Sequence, residues 1–549
     1  MNRWSKRLAG AATAALMAAG LAAGAPGGGA AADSGKLRDY LVFYTDGAQA
    51  RAIAAIRASG GVPLSTEPKL GYVVARGPGD GFAETLEADA AVAGISSDRT
   101  IGHATATPVL PARVNASDIR AVTFGEEPLA GRQWDMKMIG ATATGSYAAA
   151  PGSEKVLVGV IDTGVDGKHP DIAPNFDREL SRNFVTDRPE DSNGKELDGP
   201  CEFKSCKDPV DWDDDGHGTH VASTIASPIN DLGIAGVAPK VTLVNLRAGQ
   251  DAGLFFLKPS LDALTYAADN GIDVVNMSYY IDPWLFNCKA NPRDSKAEQR
   301  EQRGVITGMQ RALDYARKHG VTLISAIGNE GTDLGKPRVD TGSPDYPLDS
   351  QRLRRIDNSC LSVPAESKGV ISVSSVGPGK NKAYYSDYGI EQTDLSAPGG
   401  DEYDGDGRPD IARTILAAAP EHVLRASGLI GEDGQPRGGS VVRDCRAGTC
   451  AYYQYLAGTS MAAPHATGVA AILISRFGKP SKDGVTMPPA DVQRLLYATA
   501  THKACPSPRK YVYRASGGES THVCEGSKSR NGFYGRGLVD AAKAATTPR

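Results

Sequence analysis

The sequence predicts an α/β fold, a doubly wound and mostly parallel β-sheet flanked by helices, preceded by a small α+β unit. Five apolar, β-branched runs follow residue 150 and do not alternate with polar residues, which is typical of strands buried on both faces. These runs cover residues 156–161, 241–246, 272–277, 321–327 and 370–376. Helical patterns at 217–226, 260–270 and 305–319 lie between them, and this alternation indicates parallel strands joined by helices.

The small N-terminal unit is predicted over residues 36–103 and has the order βαββαβ. Its strand patterns are at 40–44, 62–65, 71–75 and 92–95, and its helical patterns are at 48–58 and 82–89. Residues 104–129 include Pro108 and Pro111 and show no clear periodicity, so we expect a linker there. The large domain then covers residues 130–549.

Length and composition limit the possible functions. The chain has 549 residues, which allows three or four structural units, and its 41% hydrophobic content is enough for a large core. Its net charge of −4 argues against a partner bound through a basic surface. We therefore expect no nucleic acid partner.

The N-terminus predicts export. Residues 1–32 begin with positive charges, continue with an Ala-rich apolar run and end in small residues, as secretory signals do. A membrane anchor is the alternative, which the small-residue end disfavours. We therefore expect a secreted, extracellular protein that is not stably inserted in a membrane after signal removal.

All eight cysteines follow residue 200, and an even number in an exported chain suggests disulfides. Local proximity favours three pairs and leaves the fourth by remainder. The expected pairs are Cys201 with Cys206, Cys445 with Cys450, Cys505 with Cys524, and Cys288 with Cys360. A zinc site from the two C-x₄-C pairs is the alternative, although its spacing differs from the usual C-x₂-C.

Four short segments carry residues suited to chemistry. They are Asp162-Thr163-Gly164 after a strand, Gly216-His217-Gly218 at a helix start, Gly328-Asn329 after another strand, and Gly458-Thr459-Ser460 before a helix. Each has a simpler interpretation. Asp162 and Asn329 suit turns, and Ser460 suits an N-cap. His217 could lie in a core or bind a metal with His220, although helical metal pairs are more often spaced by four.

The four segments together closely resemble the motifs of the subtilisin-like serine proteases, the subtilases, over about residues 130–545. Residues 233–239, Gly-Ile-Ala-Gly-Val-Ala-Pro, match a further stretch typical of that family. The chain order Asp, His, Ser is also that of subtilisin. The resemblance implies a subtilisin-like fold and a serine-type endopeptidase that hydrolyses polypeptide substrates.

The resemblance also implies a role for each residue. Ser460 would be the nucleophile and His217 its general base, with Asp162 orienting the imidazole. The Asn329 amide and the Ser460 backbone N–H would form the oxyanion hole. We expect no cofactor to be required for catalysis.

The N-terminal βαββαβ unit resembles the inhibitory propeptide of this family, the I9 type. It would act as an intramolecular inhibitor and be removed by self-cleavage between about Ile101 and Arg132. A stable accessory domain that stays attached is the alternative. We expect the enzyme to be a monomer.

The substrate cleft is expected to involve Ser278, Tyr279, Tyr280 and Gly328. The two tyrosines depart from the family pattern, because a Leu-Gly-Gly-like stretch that lines the cleft often stands at their position. Bulky side chains there would reshape the cleft, so the P1 preference is left open.

Two acidic segments raise the question of calcium. Asp404, Asp406 and Asp410 resemble part of a calcium loop, which suggests a structural Ca²⁺, although the closing Glu is absent and a solvated turn is the alternative. The aspartates at 211 and 213–215 could do the same or could bias cleft electrostatics.

These observations favour a secreted, self-processing serine endopeptidase. A narrow-specificity processing peptidase that releases leaders or short N-terminal peptides is a second hypothesis. A non-catalytic binding protein on the same fold is a third.

Overall fold

A computed structural model describes residues 37–97, 126–281, 283–405, 407–481, 484–515 and 518–548. The predicted signal at 1–32, most of the predicted linker and Asp406 lie outside the described residues. Within the described ranges, every helix is too short or too polar to cross a lipid bilayer.

The N-terminal unit has the predicted order of elements. It consists of β1 (Leu37–Tyr44), α1 (Gln49–Ala58), β2 (Val62–Glu67), β3 (Tyr72–Pro78), α2 (Gly79–Glu87) and β4 (Val92–Ser97). The strands form an antiparallel sheet in the order β2-β3-β1-β4. Val42, Ile56 and Phe82 lie in the core between this sheet and its two helices.

The large domain contains the remaining elements. They are α3 (Trp134–Ile139), α4 (Ser146–Ala149), β5 (Leu157–Ile161), β6 (Arg182–Asn183), α5 (His217–Ala226), β7 (Thr242–Arg247), α6 (Leu257–Asp269), β8 (Val274–Met277), β9 (Asn287–Cys288), α7 (Lys296–Lys318), β10 (Thr322–Ala326), β11 (Val339–Asp340), β12 (Arg354–Arg355), β13 (Cys360–Leu361), β14 (Ile371–Val376), β15 (Leu395–Pro398), β16 (Ile415–Ala418), α8 (Glu421–Ala426), β17 (Val441–Arg446), β18 (Thr449–Leu456), α9 (Thr459–Phe477), β19 (Lys479–Ser481), β20 (Gly484–Thr486), α10 (Pro489–Thr499), β21 (Lys510–Ala515), β22 (Gly518–Val523) and α11 (Ala541–Thr546).

The central sheet confirms the predicted α/β class. Its seven strands are parallel and lie in the order β15-β14-β10-β8-β5-β7-β6. All five predicted strands belong to it, and β6 and β15 extend it at its edges. The winding reverses at β5, because β7 and β8 lie on opposite sides of that strand. The carboxyl end of β5 is therefore a topological switch point, where open sheets of this kind form their sites.

Helix α9 is the main helix beneath this sheet. Its first sixteen residues, 459–474, are all buried, and it packs against α5, β8, β10, β14 and β15. Most residues of this stretch are small or apolar, which suits a helix buried on all sides. At Gly468 an added Cβ would lie 2.5 Å from Val237 Cβ, so glycine is needed where α9 packs against the segment between α5 and β7.

Helix α7 is longer than the sequence pattern predicted. It begins at Lys296, whereas the sequence pattern predicted a start near residue 305. A capping box explains its start, since the Glu298 backbone N–H donates to Ser295 Oγ at 3.2 Å and the Ser295 N–H donates to Glu298 Oε2 at 2.7 Å.

The expected disulfide pairing is confirmed. Cys201–Cys206, Cys288–Cys360, Cys445–Cys450 and Cys505–Cys524 are bonded, and all eight cysteines are accounted for. The zinc alternative is wrong, because neither C-x₄-C pair keeps a thiolate for a metal.

The N-terminal unit is seated on helix α7. Gly304 and Gly308 form its contact face, where an added Cβ would lie 2.3 Å from the Ile95 carbonyl oxygen and 2.5 Å from Phe43 Cζ. Arg311 donates from the same helix to backbone carbonyls of β1 and the β2–β3 turn at 2.9 Å. Strand β4 and the helix therefore meet backbone to backbone.

Gly304→Val is expected to separate the N-terminal unit from α7, because the new side chain would collide with the Ile95 carbonyl. In a full-length Ser460→Ala chain, trypsin should release the unit at least about tenfold faster, which corresponds to about 1.4 kcal/mol of lost docking. Thr307→Val, an isosteric change beside the same contact, is the matched control. Equal digestion rates of the Gly304→Val and Thr307→Val chains would contradict the assignment.

Candidate active site

Asp162 and His217 meet where β5 ends and α5 begins. Asp162 follows directly after β5, and its Oδ1 lies 2.7 Å from His217 Nδ1. Both side chains are buried. Gly218 makes this approach possible, because a Cβ there would lie 2.0 Å from the Gly164 carbonyl oxygen. A glycine is therefore needed at this position, directly after the histidine.

The start of α5 is organised by Asp213, a fully buried residue. Its Oδ1 accepts the Gly216 N–H at 2.9 Å, and its Oδ2 accepts the Thr219 N–H at 3.0 Å. It also accepts the hydroxyl of Thr163, next to Asp162, at 3.1 Å. Asp213 therefore fixes the helix carrying His217 relative to the strand end carrying Asp162, a role that the sequence pattern did not reveal.

Ser460 is the second residue of α9 and contacts Ser278. The Ser460 hydroxyl donates to the Ser278 carbonyl oxygen at 3.3 Å, and the Ser278 hydroxyl donates to the Ser460 carbonyl oxygen at 3.1 Å. Asn276 donates to the Ser278 hydroxyl at 2.8 Å. His217 Nε2 is shielded from solvent and makes no hydrogen bond within the described chain. The nucleophile candidate is thus held at the end of β8 in this conformation.

Asn329 is anchored to the residue before Ser460. Its Oδ1 accepts both the backbone N–H and the hydroxyl of Thr459, at 2.9 and 2.8 Å. Thr459 Oγ1 also accepts the Gly328 N–H at 3.2 Å. Because the Asn329 side-chain oxygen accepts from Thr459, the NH₂ group is the end of the amide that can donate to another group. Gly328 has φ +121°, and a Cβ there would lie 2.2 Å from Asp387 Oδ2.

The carboxylates around His217 control its protonation. Burial lowers the pKa of His217, but Asp162, Asp215 and Asp213 outweigh this effect and raise the pKa above its usual value. Asp215 accepts the His217 backbone N–H at 3.0 Å. Burial, together with repulsion from Asp213, raises the pKa of Asp215 to about 7. The suggestion that this acidic run biases local electrostatics has a physical basis.

The expected position of Tyr279 in the cleft is wrong. Its ring is 3% exposed and stacks on Phe255 at 4.1 Å with the ring planes 2° apart, within the core under α6. Tyr280 is half-buried and packs against an apolar cluster that includes Phe286 and Ile327. Its hydroxyl donates to Asp345 Oδ2 at 3.1 Å. Only Tyr280 therefore keeps a partly exposed ring at this position.

In the acidic segment near residue 404, the two described carboxylates that the sequence suggested make hydrogen bonds to separate partners. Asp404 accepts the Gly379 N–H and the Asn381 amide, while Asp410 accepts the Ala412 N–H and caps a short 3₁₀ turn. Within the described ranges, neither carboxylate belongs to a group of three close enough to share an ion.

Comparison with known proteins now decides the family. The model of the Subtilase family, Peptidase_S8, matches residues 153–522, about two thirds of the chain. The chain belongs to this family. The subtilase is accordingly a serine-type endopeptidase, and relatives of this kind act on polypeptides.

Curated relatives are similar at a modest level. Subtilisin DY of Bacillus licheniformis is 25% identical over 347 residues, covering 63% of this subtilase and 84% of the relative. The epidermin leader peptide-processing serine protease EpiP of Staphylococcus epidermidis is 27% identical over 365 residues, covering 64% and 67%. Fervidolysin of Fervidobacterium pennivorans is 28% identical, but the match spans 41% of its length.

Solved structures share the fold. The crystal structure of EpiP from Staphylococcus aureus has a TM-score of 0.59 at 21% identity and covers 93% of the subtilase and 98% of that chain. The crystal structure of fervidolysin has a TM-score of 0.56 at 23% identity, with 94% and 62% covered. The predicted subtilisin-like fold is confirmed.

Asp215→Asn is expected to shift the acid limb of the pH–rate profile to lower pH. The substitution keeps an acceptor for the His217 backbone N–H but removes a carboxyl group whose charged form raises the pKa of His217. A base must be neutral to accept a proton, so a lower pKa moves the acid limb to lower pH. The measurement is kcat/KM for a fluorogenic peptide across about pH 5–9. Asp349→Asn, at an exposed ion pair, is the control, and an acid limb that stays in place would refute the assignment.

Proposed function

We propose that the subtilase is a secreted, self-processing serine endopeptidase that works through Asp162, His217 and Ser460. The observation that carries this proposal is the buried hydrogen bond between Asp162 and His217, at the switch point of the sheet. Three lines support secretion: the signal-like N-terminus, the four disulfides, and cysteines confined to the large domain.

The chemistry follows from these positions. Ser460 Oγ attacks the peptide carbonyl while His217 Nε2 takes its proton and then gives it to the leaving amine. To do so, the hydroxyl exchanges its bond to Ser278 for one to Nε2. Asp162 holds Nδ1, which fixes the tautomer and stabilises the imidazolium. Water then hydrolyses the acyl-enzyme by the same route in reverse.

The oxyanion of each tetrahedral intermediate would be bound by two donors. One is the Asn329 amide, whose oxygen is already held by Thr459. The other is the Ser460 backbone N–H in the first turn of α9, where the helix dipole also favours negative charge. Each such donor is typically worth about 10²–10³ in rate.

The N-terminal unit would act as an inhibitory propeptide of the I9 type. Its docking on α7 supports this role, and β4 ends at Ser97, whose hydroxyl donates to Glu301 of that helix at 2.8 Å. Where the described chain resumes at residue 126, Glu127 is buried and accepts the Asn230 N–H at 3.0 Å. We therefore place the maturation cut before Glu127, in the earlier part of the expected 101–132 interval.

Ser460→Ala is expected to abolish maturation, because no other group in the triad can form the acyl-enzyme. Intact mass and N-terminal sequencing of the secreted protein should show the large domain alone for the wild type and the attached N-terminal unit for the variant. Ser359→Ala, an exposed serine, should mature normally. If purified Ser460→Ala protein still loses its N-terminal unit without added protease, the proposal is wrong.

A narrow-specificity processing peptidase is the second candidate function. It is favoured by the 27% identical relative that is named as a leader peptide-processing protease. The half-buried Tyr280 beside the Ser278 segment would be one physical means of restricting the cleft. A non-catalytic binding protein is the weakest hypothesis, since every triad position holds a competent residue type.

A mixed peptide library separates these candidates. A general endopeptidase should cleave many sequences, because main-chain contacts dominate its recognition, whereas a processing enzyme should cleave at one motif. Mass spectrometry of the products reads the motif directly, and Tyr280→Ala should broaden a narrow profile. A correctly folded wild-type protein that turns over nothing would contradict both enzymatic candidates.

A further inference from the structure

A buried aspartate, Asp387, lies beside the loop that carries Asn329. This loop follows β10 and runs from residue 328 to residue 332, and Asp387 lies on the segment between β14 and β15. Asp387 is 1% exposed and belongs to neither the triad nor the pair of oxyanion donors. Burying a carboxyl group is costly unless hydrogen bonds replace its lost hydration, so its contacts indicate its role.

The backbone on both sides of Asn329 is bonded to Asp387. The Asp387 backbone N–H donates to the Gly328 carbonyl oxygen at 2.9 Å, in the peptide group that precedes Asn329. The Glu330 N–H, in the peptide group that follows Asn329, donates to Asp387 Oδ1 at 3.1 Å. The Thr332 N–H donates to the same carboxyl oxygen at 2.7 Å. One residue therefore holds both peptide groups of the proposed oxyanion donor.

The carboxyl group of Asp387 makes the part of this contact that a substitution can remove. Other hydrogen bonds between the two segments use main-chain atoms alone, such as that from the Tyr388 N–H to the Thr332 carbonyl oxygen at 3.0 Å. These bonds do not depend on the side chain at position 387. The Glu330 and Thr332 N–H groups do depend on it, and they would lose their acceptor if the carboxyl group were removed.

Gly328 allows the carboxyl group to approach the loop. Its φ is +121°, and an added Cβ would lie 2.2 Å from Asp387 Oδ2. The carboxyl group therefore lies directly against the residue that precedes Asn329. A displacement of Asp387 would displace the loop as well, because close-packed groups have no space between them to absorb a shift.

The segment that carries Asp387 is itself anchored to the central sheet. Lys382 is fully buried, and its Nζ donates to the carbonyl oxygens of Ala383 and Ser386 at 2.8 and 2.5 Å. Ser386 Oγ donates to the Asp387 carbonyl oxygen at 2.9 Å and accepts the Ser375 N–H of β14 at 3.1 Å. Asp387 is thus fixed relative to β14, which pairs with β10.

We propose that Asp387 is a positioning residue that holds Asn329 where its amide can bind the oxyanion. Thr459 fixes the Asn329 side chain, and Asp387 fixes the backbone from which that side chain extends. An oxyanion donor is effective when it is in place before charge develops, and an error of about 1 Å can cost about 10²-fold in rate. The inference rests on the proposed function, because it assigns Asn329 to the oxyanion hole.

Steady-state kinetics of the matured protein with a fluorogenic peptide test this role. Asp387→Ala should lower kcat by about tenfold or more and change KM by less than about twofold, because a displaced Asn329 weakens binding of the transition state alone. Asp387→Asn should keep kcat within about threefold of the wild type, since its amide oxygen can still accept the Glu330 and Thr332 N–H groups.

Asp273→Ala is the matched control. Asp273 is also buried and accepts a backbone N–H, that of Leu157 at 2.9 Å, but it lies at the opposite end of the sheet from the active site. Its loss should lower Tm and leave kcat within about twofold of the wild type.

The double variant Asn329→Ala/Asp387→Ala separates positioning from a general loss of structure. If Asp387 acts through Asn329, Asp387→Ala should change kcat by less than about twofold in a chain that already lacks the Asn329 amide. Tm measured on the same samples shows whether each variant is folded. If Asp387→Ala does not fold, Asp387→Ser replaces it, because a serine side chain is too short to reach both N–H groups.

Three outcomes would overturn the inference and leave the proposed function standing. They are a kcat that Asp387→Ala does not change, an Asp387→Asn loss as large as that of Asp387→Ala, and an Asp387→Ala loss of the same size with and without the Asn329 amide. A different result identifies a failure of the proposed function: if Asn329→Ala alone leaves kcat unchanged, the oxyanion assignment is wrong, and the role of Asp387 is wrong with it.

Discussion

The hydrogen bond between Asp162 and His217 is the contact on which the arrangement of the active site depends. It joins the end of a central strand to the first residue of a helix, and both ends are buried. The bond forms only because the chain reverses its winding at β5 and because Gly218 allows the helix to approach. The contact between Asp162 and His217 therefore requires both the sheet topology and the glycine at position 218.

A buried carboxylate beside this pair, Asp213, is stabilised by the hydrogen bonds that it accepts. Asp213 accepts backbone N–H groups at the start of α5 and also accepts the Thr163 hydroxyl, so this carboxylate fixes the start of the helix relative to the end of β5. Such a carboxylate is stabilised by the helix dipole as well as by its hydrogen bonds.

Strongly patterned features could be predicted from the sequence. Long, continuous apolar runs predicted the five inner strands, and the contact between Asp162 and His217 is the one that the family resemblance implied. The edge strands β6 and β15 have two and four residues, too few for a periodic signal. The first turns of α7 were missed because they are charged, and their start depends on a capping box whose partners are only visible once the helix exists.

Contacts between distant residues could not be predicted. Arg247 donates hydrogen bonds to Asp187 and Asp208, which lie 60 and 39 residues earlier in the chain, and no spacing rule connects these residues. The error at Tyr279 has a related cause: the side chain was assigned to the cleft from its position in a motif, but Phe255 provides a flat apolar partner that holds the ring in the core.

The central claim is that Ser460 is the nucleophile and that His217 activates it. The most direct measurement is the mass of the adduct formed with a serine-directed phosphonyl reagent, followed by mapping of the modified peptide. The account predicts one phosphonyl group per mature chain, located on Ser460, and almost none in His217→Ala. An adduct on a different serine, or an active enzyme that never acquires one, would contradict it.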